Sequence, residues 1–369
     1  MAESKIISRP LSNLDERVFC GFSRDNSVLS LSPLMISALK ANPFAAKDDI
    51  VQLVGVYDNE LAGGEVVFPQ EIYAQGQCHR ALIGAELWVD PCKRKSKLGL
   101  RLPEEMWHSS QAKIGIAGGT SQKALPVYEF LGYSVFLMPR YVMLWRSRAL
   151  IEMRLKGWLA KLVARLIDCG ICAYSAMLWV VCKMVLHNYR IEEVDSADEK
   201  GLEEVASLIA DDSAPYSEVH DARWLKWNMT ESFSKDGPMR MVAMREVDEL
   251  IGFYMVKRRF HKQASHRGFK DVWLGSVVEW QVKKGCEKKL GWLLVHAALR
   301  LKQDGMDAVE IPSADKSLNH FLRGIGWRQV GESNFVIKAG EGSPLFGNKE
   351  MTKIENWRLR PAMGDAGLS

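Results

Sequence analysis

Apolar residues alternate with polar ones, or run together over five to ten positions, across 53–57, 80–89, 113–117, 241–245, 272–282 and 307–311. That pattern predicts strands half or wholly buried in a sheet. Between them the apolar spacing lengthens to three and four, predicting helices from about residue 100, over 121–131, over 290–303 and across 317–323. Strands alternating with single helices point to a layered mixed α/β fold.

The pattern also repeats. Leu53-Val54-Gly55-Val56-Tyr57, then Asn59-Glu60-Leu61-Ala62-Gly63, returns as Met241-Val242-Ala243-Met244-Arg245, then Asp248-Glu249-Leu250-Ile251-Gly252. Each reads as strand, tight polar turn, strand. Ser96-Lys97-Leu98-Gly99-Leu100 returns as Lys288-Lys289-Leu290-Gly291-Trp292, and Phe130-Leu131-Gly132-Tyr133 as Gly324-Ile325-Gly326-Trp327. Three pairs in one order, at offsets of 188 to 194 residues, indicate a duplicated domain. The expected division is a first lobe over 1–146, a connector over 147–190 and a second lobe over 191–369.

The connector has its own character. Arg146, Arg148, Arg154, Lys156, Lys161 and Arg165 make its start basic, and the 14 residues from Cys169 to Cys182 carry no charge. That stretch is shorter than the roughly 20 apolar residues a spanning helix needs. Two readings stand: a helix buried between the lobes or in a homodimer, and an interfacial helix whose basic approach, within 146–186, meets anionic lipid at the inner face of a membrane.

Composition narrows the class. With 369 residues, 47% hydrophobic and 25% charged, the chain is neither disordered nor a polytopic membrane protein. A net charge of +4 is too weak to imply a nucleic-acid partner. The opening MAESKIISRP has no apolar core, so no secretory leader is expected. Seven scattered cysteines fit a reducing cytoplasm, and Cys169 and Cys172, inside an apolar run, are expected as buried small hydrophobes. No histidine pair has ligand spacing, so no metal is expected.

Val89-Asp90-Pro91 closes the long strand of the first lobe, followed by Cys92-Lys93-Arg94-Lys95-Ser96-Lys97-Leu98-Gly99. Further on stand Ser121, Ala124, Tyr128, Gly132 and Tyr133. These residues resemble the GNAT superfamily of acyl-CoA N-acyltransferases. There a Val-x-Pro step precedes the turn Arg/Gln-x-x-Gly-x-Gly/Ala, and Asn-x-x-Ala-x-x-x-Tyr-x-x-x-Gly-Phe follows. Lys97 replaces the middle glycine, Ser121 the asparagine and Tyr133 the phenylalanine. The second lobe departs further. Gly291 remains, but Cys286 and Lys289 replace Arg and Gly, and Leu322 stands at the tyrosine position. A narrower likeness, to two-lobed GNAT proteins of bacterial surface-polysaccharide pathways, rests on the basic linker, Trp224, Trp227 and Trp357.

The resemblance implies acetyl-CoA or another acyl-CoA as cofactor, held by the first lobe, and a small amine as acceptor, such as a nucleotide-linked amino sugar. Backbone groups of Leu87, Trp88 and Val89 would pair with the pantetheine arm. Arg94, Lys95, Ser96, Lys97, Leu98, Gly99 and Leu100, at a helix start, would face the pyrophosphate. Lys97 is expected not to take the unusual backbone angles open to glycine. Ser121 would complete the cofactor contacts, and Tyr128 would protonate the leaving thiolate. Glu86, a carboxylate within an apolar strand, could take the amine proton or be a surface carboxylate. Glu279 is its echo in the second lobe, with a binding or structural role. Arg258 and Arg259, in the basic run from Lys257 to Lys270, could hold a phosphate or be a solvated loop. A non-catalytic scaffold built from two decayed lobes is the alternative, as is a peripheral membrane protein.

Overall fold

The computed structural model describes residues 4–14, 33–109, 112–148, 151, 155–231, 236–261 and 271–362. The first half runs β1 (Ser4–Pro10), α1 (Pro33–Lys40), β2 (Ile50–Tyr57), β3 (Glu60–Ala74), β4 (Gln77–Val89), α2 (Leu98–Ser109), β5 (Ile114–Gly118), α3 (Leu125–Phe130) and β6 (Ser134–Leu144). A long helix, α4 (Gly157–Val185), leads to the second half. There follow β7 (Arg190–Val194), α5 (Glu199–Ala210), β8 (Tyr216–Glu218), α6 (Ala222–Thr230), β9 (Arg240–Glu246) and β10 (Glu249–His261). The chain continues with β11 (Val272–Val282), α7 (Glu287–Gln303), β12 (Ala308–Pro312), α8 (Lys316–Gly324) and β13 (Arg328–Ala339).

Both repeated hairpins form. Asp58 and Asn59 close the first with φ of 54° and 61°, the paired positive angles of a tight hairpin turn. α3 starts later than the apolar spacing suggests, at Leu125, with Pro126 in its first turn, where a missing N–H costs nothing.

The thirteen strands form one sheet, with β8 beside the path β1-β2-β3-β4-β5-β13-β6-β12-β11-β10-β9-β7. The order exposes an exchange. The last strand of the first half, β6, pairs with β12 of the second half through Leu144 and Ala308. The last strand of the second half, β13, pairs with β5 of the first through Ala117 and Val336. Each half therefore supplies a strand to its partner, and β13 and β6 pair with each other at the centre. β8 adds to the β3 edge through Ile72 and Glu218.

The main core is correspondingly shared. Phe68, Ile83, Ile116 and Phe136 from the first half pack in one cluster with Trp224, Met241, Phe253 and Trp357 from the second. The Trp227 indole N–H donates to the Ala38 carbonyl on α1 at 2.9 Å. The tryptophans singled out in the sequence thus take part in interlobe packing: Trp227 tilts against Phe68 and Trp357 against Phe136, while Trp224 stacks on His220 within the second half.

α4 departs from the buried-connector expectation. It packs along α7 in the second lobe, burying Ser175, Leu178 and Cys182, while its opposite face is exposed. Cys169 and Cys172 lie on the exposed side, so they are not the buried thiols expected. Their run is uncharged because α4 has apolar residues on two faces, only one of which the protein covers.

Candidate functional site

The site begins where two parallel strands part. β4 and β5 pair only at Leu82–Gly115 and Ile83–Ile116. Beyond Ile83, β4 continues to Val89 against β3 alone, while β5 ends at Gly118. Leu87, Trp88 and Val89 therefore lie on a strand edge that β5 has left, where an extended ligand arm can add as a strand does. A bulge between Gly64 and Val66 on β3 accompanies the divergence, and the Trp88 indole covers Gly64. Glu86 is on this stretch of β4; its side chain lies outside the described residues.

Asp90 turns the chain out of β4, its carboxylate accepting the Cys92 N–H at 2.8 Å. A 3₁₀ turn over Pro91–Ser96 follows, with Arg94, Lys95 and Lys97 exposed. Lys93 is tied to Glu60 at 2.5 Å. Lys97 then adopts φ 63°, ψ 11°, the left-handed conformation that glycine takes freely. This corrects the expectation that Lys97 would not take the backbone angles open to glycine. The geometry is kept, at a strain of about 1–2 kcal/mol, and a cation is added. α2 starts at Leu98, with Ser96 Oγ 3.4 Å from the Leu98 N–H and no acidic residue in the first turn. The Leu100 N–H already donates to the Lys97 carbonyl at 3.0 Å, so Leu98 and Gly99 head the anion-attracting terminus, among three basic side chains. A Cβ at Gly99 would meet only Val89, at 3.8 Å.

Tyr128 stands at the mouth of the same divergence. It is buried on α3 in a cluster with Ala117 of β5 and Tyr133, and Leu87 of β4 packs against that cluster. Its ring meets Tyr133 edge-on, centroids 5.0 Å apart. The backbone bond from the Tyr133 N–H to the Tyr128 carbonyl, at 3.0 Å, closes the helix around Gly132. Ser121 is exposed, its carbonyl accepting the Ala124 N–H at 2.9 Å. The strand edge and Tyr128 thus come together, and the turn follows that strand directly in the chain.

The equivalent place in the second lobe is filled. β11 parts from β12 after Ser276–Glu310. There the Ala362 N–H reaches the Val278 carbonyl at 2.8 Å, and Arg360 Nε the Trp280 carbonyl at 3.2 Å. The chain's own residues 358–362 cover that edge. At the following helix start, the Glu287 carboxylate accepts the Gly285 N–H at 2.8 Å, and backbone hydrogen bonds hold its pKa below the usual carboxylate range. Gly291 serves packing: a Cβ would come within 2.5 Å of the Phe321 ring.

Glu279 is at the centre of a buried charge network. Its carboxylate takes the His220 Nδ1–H at 2.6 Å and Arg358 at 2.6 Å, with Arg360 at 3.5 Å. Burial works against its ionisation, but Arg358, His220 and Arg360 overcome it and hold the carboxyl at about 2. His220 Nε2–H reaches Glu218 at 3.2 Å. Burial pulls the imidazole pKa down, and the two carboxylates reverse that, leaving it above its ordinary value. Arg259 is engaged too, bound to Glu310 at 3.3 Å beside Ser276 and Arg140, while Arg258 is half-buried. Lys262, His266, Arg267 and Lys270 of the basic run lie outside the described residues.

Sequence reasoning missed three features. His220 and Arg358 leave no local signature, because their shared partner Glu279 is 59 and 79 residues away in sequence, and Glu218 joins the network through His220. A cavity of about 480 Å³ between α5 and the β3–β4 hairpin is lined by Glu203, Asp212, Glu218, Asp221 and Tyr73. Glu65, in the β3 bulge, is buried with neither carboxyl oxygen hydrogen-bonded. It lies over Gly84, beneath Met106 of α2, and desolvation raises its pKa to about 8. A charged residue in Gly63-Gly64-Glu65-Val66-Val67 was the available signal.

These features define a class: two GNAT-fold lobes in tandem, sharing one sheet. Solved structures agree. The chain is similar to Saccharomyces cerevisiae N-myristoyltransferase with bound myristoyl-CoA and inhibitors, with a TM-score of 0.61, 14% identity, and 90% of this chain and 80% of that chain covered. It is also similar to a probable N-acyltransferase from Enterococcus faecalis, with a TM-score of 0.54, 11% identity, and 92% and 73% covered. A GCN5-related N-acetyltransferase from Anabaena variabilis aligns at a TM-score of 0.53 and 11% identity, over 91% and 73%. No family model matches the chain, and no curated protein matches it in sequence.

Proposed function

We propose that the protein is an acyl-CoA-dependent N-acyltransferase whose first lobe, residues 1–146, holds the acyl-CoA. The observation that carries the reading is the parting of β4 from β5 beside Tyr128, followed at once by a left-handed, cationic turn heading α2. The solved structures it resembles include a myristoyl-CoA complex, which supports the same cofactor class. The half-buried edge at Leu87–Val89 fits a pantetheine arm, and Arg94, Lys95, Lys97 and the N–H groups of Leu98 and Gly99 fit a pyrophosphate. The thioester supplies the activated acyl group. The acceptor nitrogen attacks the carbonyl carbon, forming C–N and breaking C–S. A base on the Trp88 stretch of β4, for which Glu86 is the candidate, takes the ammonium proton, and Tyr128 donates its proton to the departing thiolate.

The second lobe, 191–369, supports the first through its strand and the Glu279 network, and 147–190 connects them. The acceptor class is a small primary amine, with a nucleotide-linked amino sugar the narrower choice, handled in the cytoplasm. The test is calorimetric titration with CoA. One site is expected, and Gly99→Glu, which has room at its Cβ, should abolish it by placing an anion against the pyrophosphate. Lys288→Glu, at the second lobe's helix start, should leave binding unchanged. Equal loss in both, or no CoA binding in the parent protein, overturns the reading.

A further inference from the structure

α4 is the only helix among the described residues long and apolar enough to cross a membrane by length and composition. At 100° per residue its side chains divide into faces. Ala160, Ala164, Ser175, Leu178 and Cys182 form the buried seam. Opposite them run Trp158, Leu162, Leu166, Met177, Val180 and Met184, spaced by three, four and eleven, with Trp158 71% and Leu166 67% exposed. This stripe extends the whole helix, about 43 Å at about 1.5 Å per residue. Lys161, Arg165 and Lys183 line one edge, all exposed, and none has a salt bridge among the described residues. The helix has one acidic residue, Asp168, and it is turned inward, accepting the Ser147 N–H at 2.7 Å and hydroxyl at 2.8 Å.

We propose that this face is a seat for an anionic lipid surface, with α4 lying in the interface rather than crossing it. Crossing is opposed by the seam. The Tyr174 hydroxyl donates to the Ile325 carbonyl at 2.5 Å and Lys289 to the Val185 carbonyl at 3.2 Å, so α4 would drag α7 and its lysines into hydrocarbon. A second copy of the chain is opposed by charge, since the outer face offers no carboxylate to meet Lys161, Arg165 and Lys183. An anionic headgroup layer supplies the missing charge, while the apolar stripe enters the acyl boundary. The inference does not depend on the acyl-transfer reading.

The test is flotation of the full chain with phosphatidylcholine vesicles, with and without phosphatidylglycerol. Binding is expected only with phosphatidylglycerol, and it should weaken as salt rises. Lys161→Glu with Arg165→Glu should lower partitioning by about tenfold or more, at about 1 kcal/mol per basic residue before reversal. Leu166→Glu with Val180→Glu should abolish it. Both variants leave the seam intact, so melting temperature and CoA titration should match the parent. Three results overturn the proposal: no binding or salt-independent binding to both vesicles; a dimer in light scattering that Leu166→Glu dissociates, with no vesicle binding; or bound protein resisting alkaline carbonate, as a spanning helix does.

Discussion

The two lobes start from one plan and end in opposite states at the same place. In the first, β4 beyond Ile83 has no strand beside it on the β5 side among the described residues, the following turn is cationic, and a tyrosine packs at the mouth. In the second, residues 358–362 lie along the matching edge of β11, Glu287 sits on the matching helix start, and Leu322 replaces the tyrosine. The two halves share one scaffold, and the second fills its own groove. A strand edge stays available to a ligand only where the chain does not satisfy it internally.

The comparison breaks or sharpens at four further points. The largest effect is expected at Tyr128. Tyr128→Phe should lower turnover by about 10²–10⁴-fold with CoA affinity unchanged, in single-turnover assays. Unchanged turnover would leave Tyr128 as packing alone. Next comes His220→Ala in the filled lobe. It strips a partner from two buried carboxylates and should cost about 3–5 kcal/mol in denaturant unfolding. Its sign with pH is fixed by the raised imidazole pKa: the stabilisation is full below about 6.5 and fades as pH climbs through the folded value. The gap between parent and variant should thus narrow in alkaline buffer.

Glu65 gives the opposite dependence in the open lobe. Its folded pKa of about 8 lies above the unfolded value, so unfolding releases a proton between them and stability falls as pH rises across that window. Glu65→Gln should accordingly stabilise the protein at pH 8 relative to pH 5, by up to several kcal/mol, in paired melts at the two pH values. A pH-independent difference would mean the carboxyl has a partner in solution. The smallest effect is expected at Lys97. Lys97→Gly relieves a positive φ and should stabilise by about 1 kcal/mol or less, while weakening CoA binding at low salt through the lost charge.

Much of this was legible locally. The β11 limits were read directly from the sequence, and those of β4 to within three residues, because strands buried in a sheet leave short apolar runs bounded by polar turns. The Val89–Gly99 turn and Tyr128 were singled out by their resemblance to the motifs of a known family. The strand exchange left no mark, since alternation says which face of a strand is buried and not which strand lies beside it. The same limit hid the covering of β11, because Arg358 and Arg360 read as an ordinary basic tail until their distant partner Glu279 is known. α4 misled for another reason: an uncharged run looks the same whether protein or another apolar phase covers it.

The exchange of β6 and β13 also sets a schedule. During synthesis β5 is complete long before β13, the strand that pairs with it, exists. About two hundred residues separate them, which at about 5–20 residues per second leaves that edge waiting for about 10–40 s. An apolar edge such as Ile114–Gly118 is a template for wrong pairing while it waits. The nascent first lobe is therefore a natural client for chaperones, and its groove is finished among the last parts of the molecule.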